Sequence, residues 1–147
     1  MFDAGVRKRV LAAIERIVKA EAAASGAPRP PEITPLDRYP LNVNDKQASE
    51  RVADAFRAHF SADRVMHTGP APASEDFGCF GAEWHAPSVF WFVGGTDPAT
   101  YAKAKEAGRL NDIPVNHSPR FAPVIHPTLG TGVETLVVAA RAWLAAA

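Results

Sequence analysis

Residues 88–95 read SVFWFVGG, and this stretch decides the predicted fold. Five apolar residues follow Ser88 without alternation, which is typical of a strand buried on both faces of a sheet. The glycines at 94 and 95 end the run. Helical patterns lie on either side of it along the chain. The sequence therefore predicts an α/β fold in which helices cover a parallel sheet.

The first helical pattern covers residues 3–24. Its apolar face recurs at helical spacing, and charged residues take the other side. Asp3 is the expected N-cap, and Gly26 in SGAPRPP is the expected C-terminal signal. The apolar face consists of Val6, Val10, Leu11, Ile14, Ile17 and Val18.

Two further helices are predicted downstream. One opens at Asn44 or Asp45, and its apolar side consists of Ala48, Val52, Ala55, Phe56 and Phe60. The other begins at about Pro127, and its inward residues are expected to be Leu136, Val137, Ala140 and Leu144. Each helix would cover the sheet with its apolar side.

Strand signals other than SVFWFVGG are weak. Residues 32–44 contain Pro35 and Pro40, which limit this segment to an edge strand or an extended crossing. A doubly wound domain needs several strands. We therefore expect an incomplete sheet whose partner strands are missing.

Composition excludes several classes of function. Sixteen basic and sixteen acidic side chains balance, which gives no electrostatic footprint for nucleic acid or an anionic membrane. No apolar run approaches the ~20 residues that cross a bilayer. The single Cys79 excludes an intramolecular disulfide and favours a cytoplasmic location. Its FGCFG context suggests a small core residue rather than a reactive thiol.

The stretch VNHSPRF, residues 115–121, places His117 in a rigid polar turn. Pro114 and Pro119 stiffen its two sides, and Asn116 and Ser118 can hydrogen-bond backbone groups. From the residues alone, a structural or surface histidine is favoured over a metal ligand.

Glu75 and Asp76 form an adjacent carboxylate pair at the start of a predicted helical turn, for which Ser74 is the expected cap. Helix capping is favoured over a role in a polar cleft. The chain contains no HExxH, no CxxC and no phosphate-binding loop. These motifs alone therefore assemble no complete active site.

Four segments in order carry a resemblance to a known family: ASEDFGCFG, VFWFVGG, VNHSPRFAPV and PTLGTGVETLVVAARAWL. Together they resemble the C-terminal part of the metal-dependent amidohydrolases and aminoacylases of peptidase family M twenty. The branch is that of hippurate hydrolases, indole-acetyl-amino-acid hydrolases and N-acyl-amino-acid deacetylases. The similarity is strongest over residues 73–147. The segment from Phe2 to Ala27 resembles the lid-domain helix more loosely.

The resemblance implies a two-domain zinc-exopeptidase-like fold. Residues 1–43 would be a remnant of the lid or dimerisation domain, and residues 44–147 the C-terminal part of the catalytic domain. His117 would be a ligand of a divalent Zn, Mn or Co ion. The candidates for the substrate cleft are Glu75, Asp76, Phe77 and Asn116. The substrate would be a small N-acylated amino acid.

The family's other metal ligands and its general-base glutamate come from upstream sequence that has no counterpart here. We therefore expect a C-terminal fragment that is inactive alone and holds no metal tightly. It could be a truncated gene, an engineered segment or one half of a split gene. The alternative is a non-catalytic association module that uses the lid helix and apolar strand edges. Both predict a homo-oligomer or association with a missing upstream half.

Overall fold

The computed structural model describes residues 3–71, 73 and 75–144. Over these residues the regular structure is entirely helical. Two short 3-10 helices cover Ala62–Arg64 and Leu110–Asp112. The α-helices are α1 (Ala4–Ala24), α2 (Lys46–Phe60), α3 (Gly78–Trp84), α4 (Pro98–Glu106) and α5 (Ile125–Leu144).

The predicted α/β fold is wrong, because no strand forms among the described residues. The SVFWFVGG segment has no regular structure. Trp91 and Val93 are only half-buried, and Phe92 is 62% exposed. A strand is stable only when a neighbouring strand completes its ladder, and the proline-rich 32–44 segment forms no edge strand here. The predicted zinc-exopeptidase-like fold with an incomplete sheet is therefore wrong as well.

The side chain of Asn44 takes the place of a partner strand for part of the apolar run 88–95. Its side-chain Nδ2 donates to the carbonyl of Phe90, and its Oδ1 accepts from the Phe90 N–H, both at 2.8 Å. The N–H of Asp45 donates to the carbonyl of Ser88 at 2.9 Å. A side-chain amide thus takes the two positions that a neighbouring strand's backbone would take, which satisfies those groups without a ladder.

The predicted limits of α1 are confirmed. The carboxylate of Asp3 accepts the Val6 N–H at 2.7 Å. At the other end Gly26 has φ +68°, and the N–H of Ala27 donates to the carbonyl of Ala22 at 3.0 Å. This is a Schellman ending, in which a left-handed glycine satisfies the last carbonyls of the helix.

Helices α2 and α4 are both capped by aspartate. Asp45 accepts from the Ala48 N–H at 2.8 Å, which decides between the two predicted starts of α2. Asp97 accepts from the backbone N–H and the hydroxyl of Thr100, each at 2.8 Å. These two bonds, the backbone one first, lower the pKa of the Asp97 carboxyl.

The chain divides into two compact units. One contains Met1–Ser49 and Met66–Phe90, and the other contains Glu50–Val65 and Trp91–Ala147. The predicted boundary at residue 43 between a lid remnant and a catalytic part stays a prediction.

The core of the second unit is small. Val52, Phe56 and Ala139 are buried together, and Trp91 packs edge-on to Phe56 with ring centroids 5.4 Å apart. The predicted apolar side of α2 is confirmed, since Ala48 is buried as well and Phe60 joins the core cluster.

Helix α5 faces inward with a different side from the one predicted. Thr135 and Ala139 are buried, whereas Leu136 and Leu144 are 63% and 82% exposed. Because apolar residues occupy most of the circumference of α5, periodicity could not select the packed face.

In the first unit, burial is limited. Gly78 of α3 lies against the backbone of Leu41, and a Cβ placed there would come within 2.8 Å of the Leu41 carbonyl oxygen. Helix α1 has no buried residue, so its predicted apolar face is exposed. In the part of the chain that the structure describes, no helix has the length and apolar character that a bilayer crossing requires.

Candidate functional site

His117 lies in the first of two consecutive turns. The Ser118 N–H donates to the carbonyl of Val115 at 3.0 Å and closes a turn over Asn116 and His117. The backbone of His117 has φ +71°. A positive φ at the third residue of a turn is the geometry of the type II family, which favours glycine at that position.

The second turn fixes the far side of the histidine. The Phe121 N–H donates to the carbonyl of Ser118 at 3.0 Å, with Pro119 at the second position of the turn. The hydroxyl of Ser118 accepts the Arg120 N–H at 3.2 Å. The predicted hydrogen bonding of Ser118 to the backbone is therefore confirmed.

The imidazole of His117 is displayed at the surface rather than packed in the core. The residue is exposed, as are its neighbours Val115 and Asn116. A positive φ is uncommon for residues other than glycine and costs on the order of 1 kcal/mol or more. The surrounding turns therefore hold an exposed imidazole in a strained backbone conformation.

The described residues do not fit a complete metal site. Within residues 3–71, 73 and 75–144, no three His, Cys, Asp or Glu side chains come together in a group that could hold a metal ion. Protein zinc sites use three or four such ligands. His117 could supply one imidazole ligand, and we derive no catalytic step through a metal.

Glu75 holds its own turn together. Its Oε1 accepts the N–H of Asp76 at 3.0 Å and that of Phe77 at 3.1 Å. The carbonyl of Asp76 accepts the N–H of Cys79 at the start of α3. This carboxylate is therefore engaged locally, but it does not cap α3, because no side chain makes a capping bond at the N-cap residue Phe77. Ser74, expected as the cap, lies outside the described residues.

Phe77 packs with other aromatic residues of the first unit. Its ring centroid lies 5.9 Å from that of Phe80 and 5.5 Å from that of Phe90. Cys79 is exposed, which corrects its interpretation as a core residue. The small residue that α3 buries is Gly78, because only a glycine permits the close approach to Leu41.

An open cleft of about 550 Å³ lies beside α3 in the first unit. Its polar side chains include Asp45, Lys46, His85 and Ser88. Glu75, Asp76 and Phe77 are not part of its lining. Asn116 and His117 belong to the second unit. A shared cleft that unites these candidates with His117 stays a prediction.

One pair of side chains was missed by sequence reasoning. His59 Nε2 lies 2.9 Å from Glu134 Oε2, at the surface of the second unit. The His59 ring also packs edge-on to Phe60, with centroids 4.5 Å apart. The two residues are 75 positions apart, so no local pattern could have predicted the pair. They form a surface contact between α2 and α5.

No model of a known protein family matches this chain. The resemblance of EDF and NHSPRF to the amidohydrolase motifs stays a prediction.

Proposed function

We propose that this chain supplies the His117 turn to the metal cleft of an amidohydrolase that acts on small N-acyl amino acids. By itself the chain hydrolyses no amide. A companion polypeptide would supply the remaining metal ligands and the general base. A cytoplasmic location is part of this proposal, supported by the presence of one cysteine in 147 residues.

The geometry of the His117 turn carries the proposal. Two turns constrain the residue, its φ is +71°, and its side chain is exposed. Strained backbone conformations of this kind gather at functional sites, where the rigid turn presents a side chain in a fixed direction. A neutral imidazole is a suitable ligand for zinc.

Reconstitution tests the proposal. The purified chain is mixed with the upstream part of an N-acyl-amino-acid amidohydrolase, and hydrolysis of N-acyl amino acids is measured with added Zn²⁺, Mn²⁺ or Co²⁺. We expect activity from the mixture and none from either component. His117→Ala should abolish the activity. His85→Ala is the matched control, because His85 is also exposed and also has a positive φ.

Two results would contradict the proposal. Metal-dependent turnover by the chain alone, lost in His117→Ala, would show that the chain is a complete enzyme. A mixture that forms a stable complex without activity, or whose activity survives His117→Ala, would remove His117 from the cleft.

A second candidate is a non-catalytic association module. The observation that favours it is the exposed apolar face of α1, where Leu11 and Ile17 are 53% and 56% exposed. Contiguous apolar surface of this kind marks sites of protein association. The same mixture distinguishes the two candidates, because a module would form a complex that Ile17→Glu disrupts and His117→Ala leaves unchanged, without hydrolysis.

A further inference from the structure

Helix α5 exposes an apolar stripe along its outer face. The spacing of the residues is that of one helix face, i, i+4, i+7 and onward. Their opposite side contains the buried Thr135 and Ala139, which pack into the second unit. This exposed surface, the α5 stripe, consists of Leu129, Val133, Leu136, Val137, Ala140 and Leu144.

Apolar surface of a helix is normally buried. In α5 the inner side is packed against Val52 and Phe56 through the core of the second unit, whereas the stripe faces outward. The only acidic and basic side chains between Pro127 and Leu144 are Glu134 and Arg141. Solvent is therefore an unfavourable environment for the outer face.

We propose that the α5 stripe binds the α5 stripe of a second copy of this chain, in an antiparallel pair related by a twofold axis. This surface goes beyond both proposed functions, because neither uses α5.

The stripe is self-complementary about its midpoint. Its centre lies between Leu136 and Val137. A twofold axis at this point places Leu136 of one copy beside Val137 of the other. The same axis pairs Leu129 with Leu144 of the second copy at each end. A twofold interface requires such self-complementarity, because both copies use the same patch.

The charges of α5 follow the same symmetry. Glu134 and Arg141 lie on the same flank of the stripe and on opposite sides of its midpoint, so an antiparallel pair brings Glu134 within about two residues, roughly 3 Å along the axis, of Arg141 in the other copy. In an antiparallel pair, Glu134 of one copy therefore meets Arg141 of the other, twice. Glu134 uses Oε2 for His59 at 2.9 Å, so its other oxygen can accept from a guanidinium. A parallel pair would place like charges at the same height.

The available area suits a modest dimer. Apolar side chains of this size, exposed to this degree, together with the 50% exposed Trp143 beside them, offer roughly 300–500 Å². A standard interface buries about 800 Å² per partner, of which about 450 Å² is apolar. The stripe therefore supplies the apolar core of an interface, and the flanking charges supply its rim.

Sedimentation velocity of the full chain over a concentration series tests the pairing. We expect a reversible dimer. Leu136→Glu should raise the dissociation constant at least ~tenfold, because it places two carboxylates next to each other at the axis. Leu36→Glu is the matched control: it puts the same charge on an exposed apolar residue outside α1 and α5 and should leave the dimer intact.

A charge exchange tests the antiparallel arrangement. Glu134→Arg alone and Arg141→Glu alone should each weaken the dimer, because each opposes like charges. The double variant restores two opposite-charge pairs and should restore the dissociation constant. Far-ultraviolet circular dichroism confirms that each variant keeps its helices, and this series decides the question if Leu136→Glu unfolds.

Three results would overturn the proposal. One is a chain that stays monomeric at about 100 µM, where even a weak specific dimer is populated. Another is a dimer that Ile17→Glu dissociates and Leu136→Glu does not. The third is a double charge variant that is no stronger than its single components.

Discussion

At the scale of single residues, His117 occupies a backbone conformation that suits glycine. Replacement by glycine removes the left-handed strain, worth about 1 kcal/mol, and adds flexibility to the unfolded chain that offsets part of the gain. We expect His117→Gly to leave the free energy of unfolding unchanged or to raise it by up to about 1 kcal/mol. Urea denaturation measures this change.

Arg120→Gly is the matched control for this prediction. Arg120 holds the corresponding third position of the neighbouring turn, is exposed and does not have a positive φ. Glycine there should destabilise by about 0.5–1 kcal/mol, because it adds only flexibility. A His117→Gly variant that loses as much stability as Arg120→Gly would show that the imidazole makes a stabilising contact.

Asp97 makes the stability depend on pH. Hydrogen bonds from Thr100 lower the pKa of this carboxyl below its usual 3.8. Its contribution is therefore complete above pH 3.8 and is lost as pH falls through the lower pKa of the folded state. Asp97→Asn keeps an N-cap side chain but cannot titrate.

The stability difference between the wild type and Asp97→Asn measures this effect. Urea denaturation between pH 6 and pH 2.5 should show the wild type losing its advantage only at the acid end of the range. A constant difference over the whole range would contradict the role given to the ionised carboxylate.

At the scale of elements, two glycines should respond in opposite ways to alanine. Gly78→Ala places a methyl group 2.8 Å from the Leu41 carbonyl oxygen and should destabilise by about 1–3 kcal/mol. Gly130 in α5 has open space around it, and alanine there should stabilise the helix by about 0.5–1 kcal/mol. Thermal denaturation of the two variants compares them. Equal effects would contradict the close approach of α3 to Leu41.

Helix ends were more predictable than helix faces. Asp3 and Gly26 act within a few residues of themselves, so local sequence was sufficient to place the ends of α1. The inward side of α5 depends on what the helix meets. Leu136 is as apolar as any core residue, and only packing with Val52 and Phe56 of α2 selects Ala139 instead.

The sheet was predicted from an apolar run, and the run does not form a strand. A sequence of five apolar residues indicates that the segment favours burial. Whether it forms a strand depends on backbone hydrogen bonds to a partner strand elsewhere in the chain. Asn44 supplies a side-chain amide to Phe90, and no periodicity shows that in advance. Local reasoning therefore failed where hydrogen bonding was decided at long range.

The candidate site also contains one feature that depends on local sequence and one that depends on a long-range contact. The turn at His117 follows from Pro119 and Ser118, both adjacent in sequence, and its hydrogen bonding was predictable. The contact between His59 and Glu134 joins positions that lie far apart in the chain, and it became visible only in three dimensions.

At the scale of the whole molecule, the second unit depends on few buried side chains. Phe56→Ala removes the ring that contacts Trp91 and Phe60 and should cost about 3–5 kcal/mol. That is much of the total stability of an ordinary domain. We expect the cooperative thermal transition of this unit to disappear in scanning calorimetry.

Leu36→Ala is the control for Phe56→Ala. Leu36 is 89% exposed, so its removal should change stability by no more than about 0.5 kcal/mol. A cooperative transition that survives Phe56→Ala would show that the cluster of Val52, Phe56 and Ala139 is not the core on which the unit depends.

Helix α1 combines strong ends with no buried side chain. Its caps and the Lys19–Glu15 ion pair act locally, and the hydrogen bond from Arg7 to the Tyr39 carbonyl is exposed. A helix of 21 residues that buries no side chain is only marginally stable in water. Its amide hydrogens should therefore exchange with deuterated solvent through local fraying, long before those of α2 around Val52 and Phe56. Exchange protection would follow burial rather than helix length, and the longest helix of the described chain would be among the first to take up deuterium.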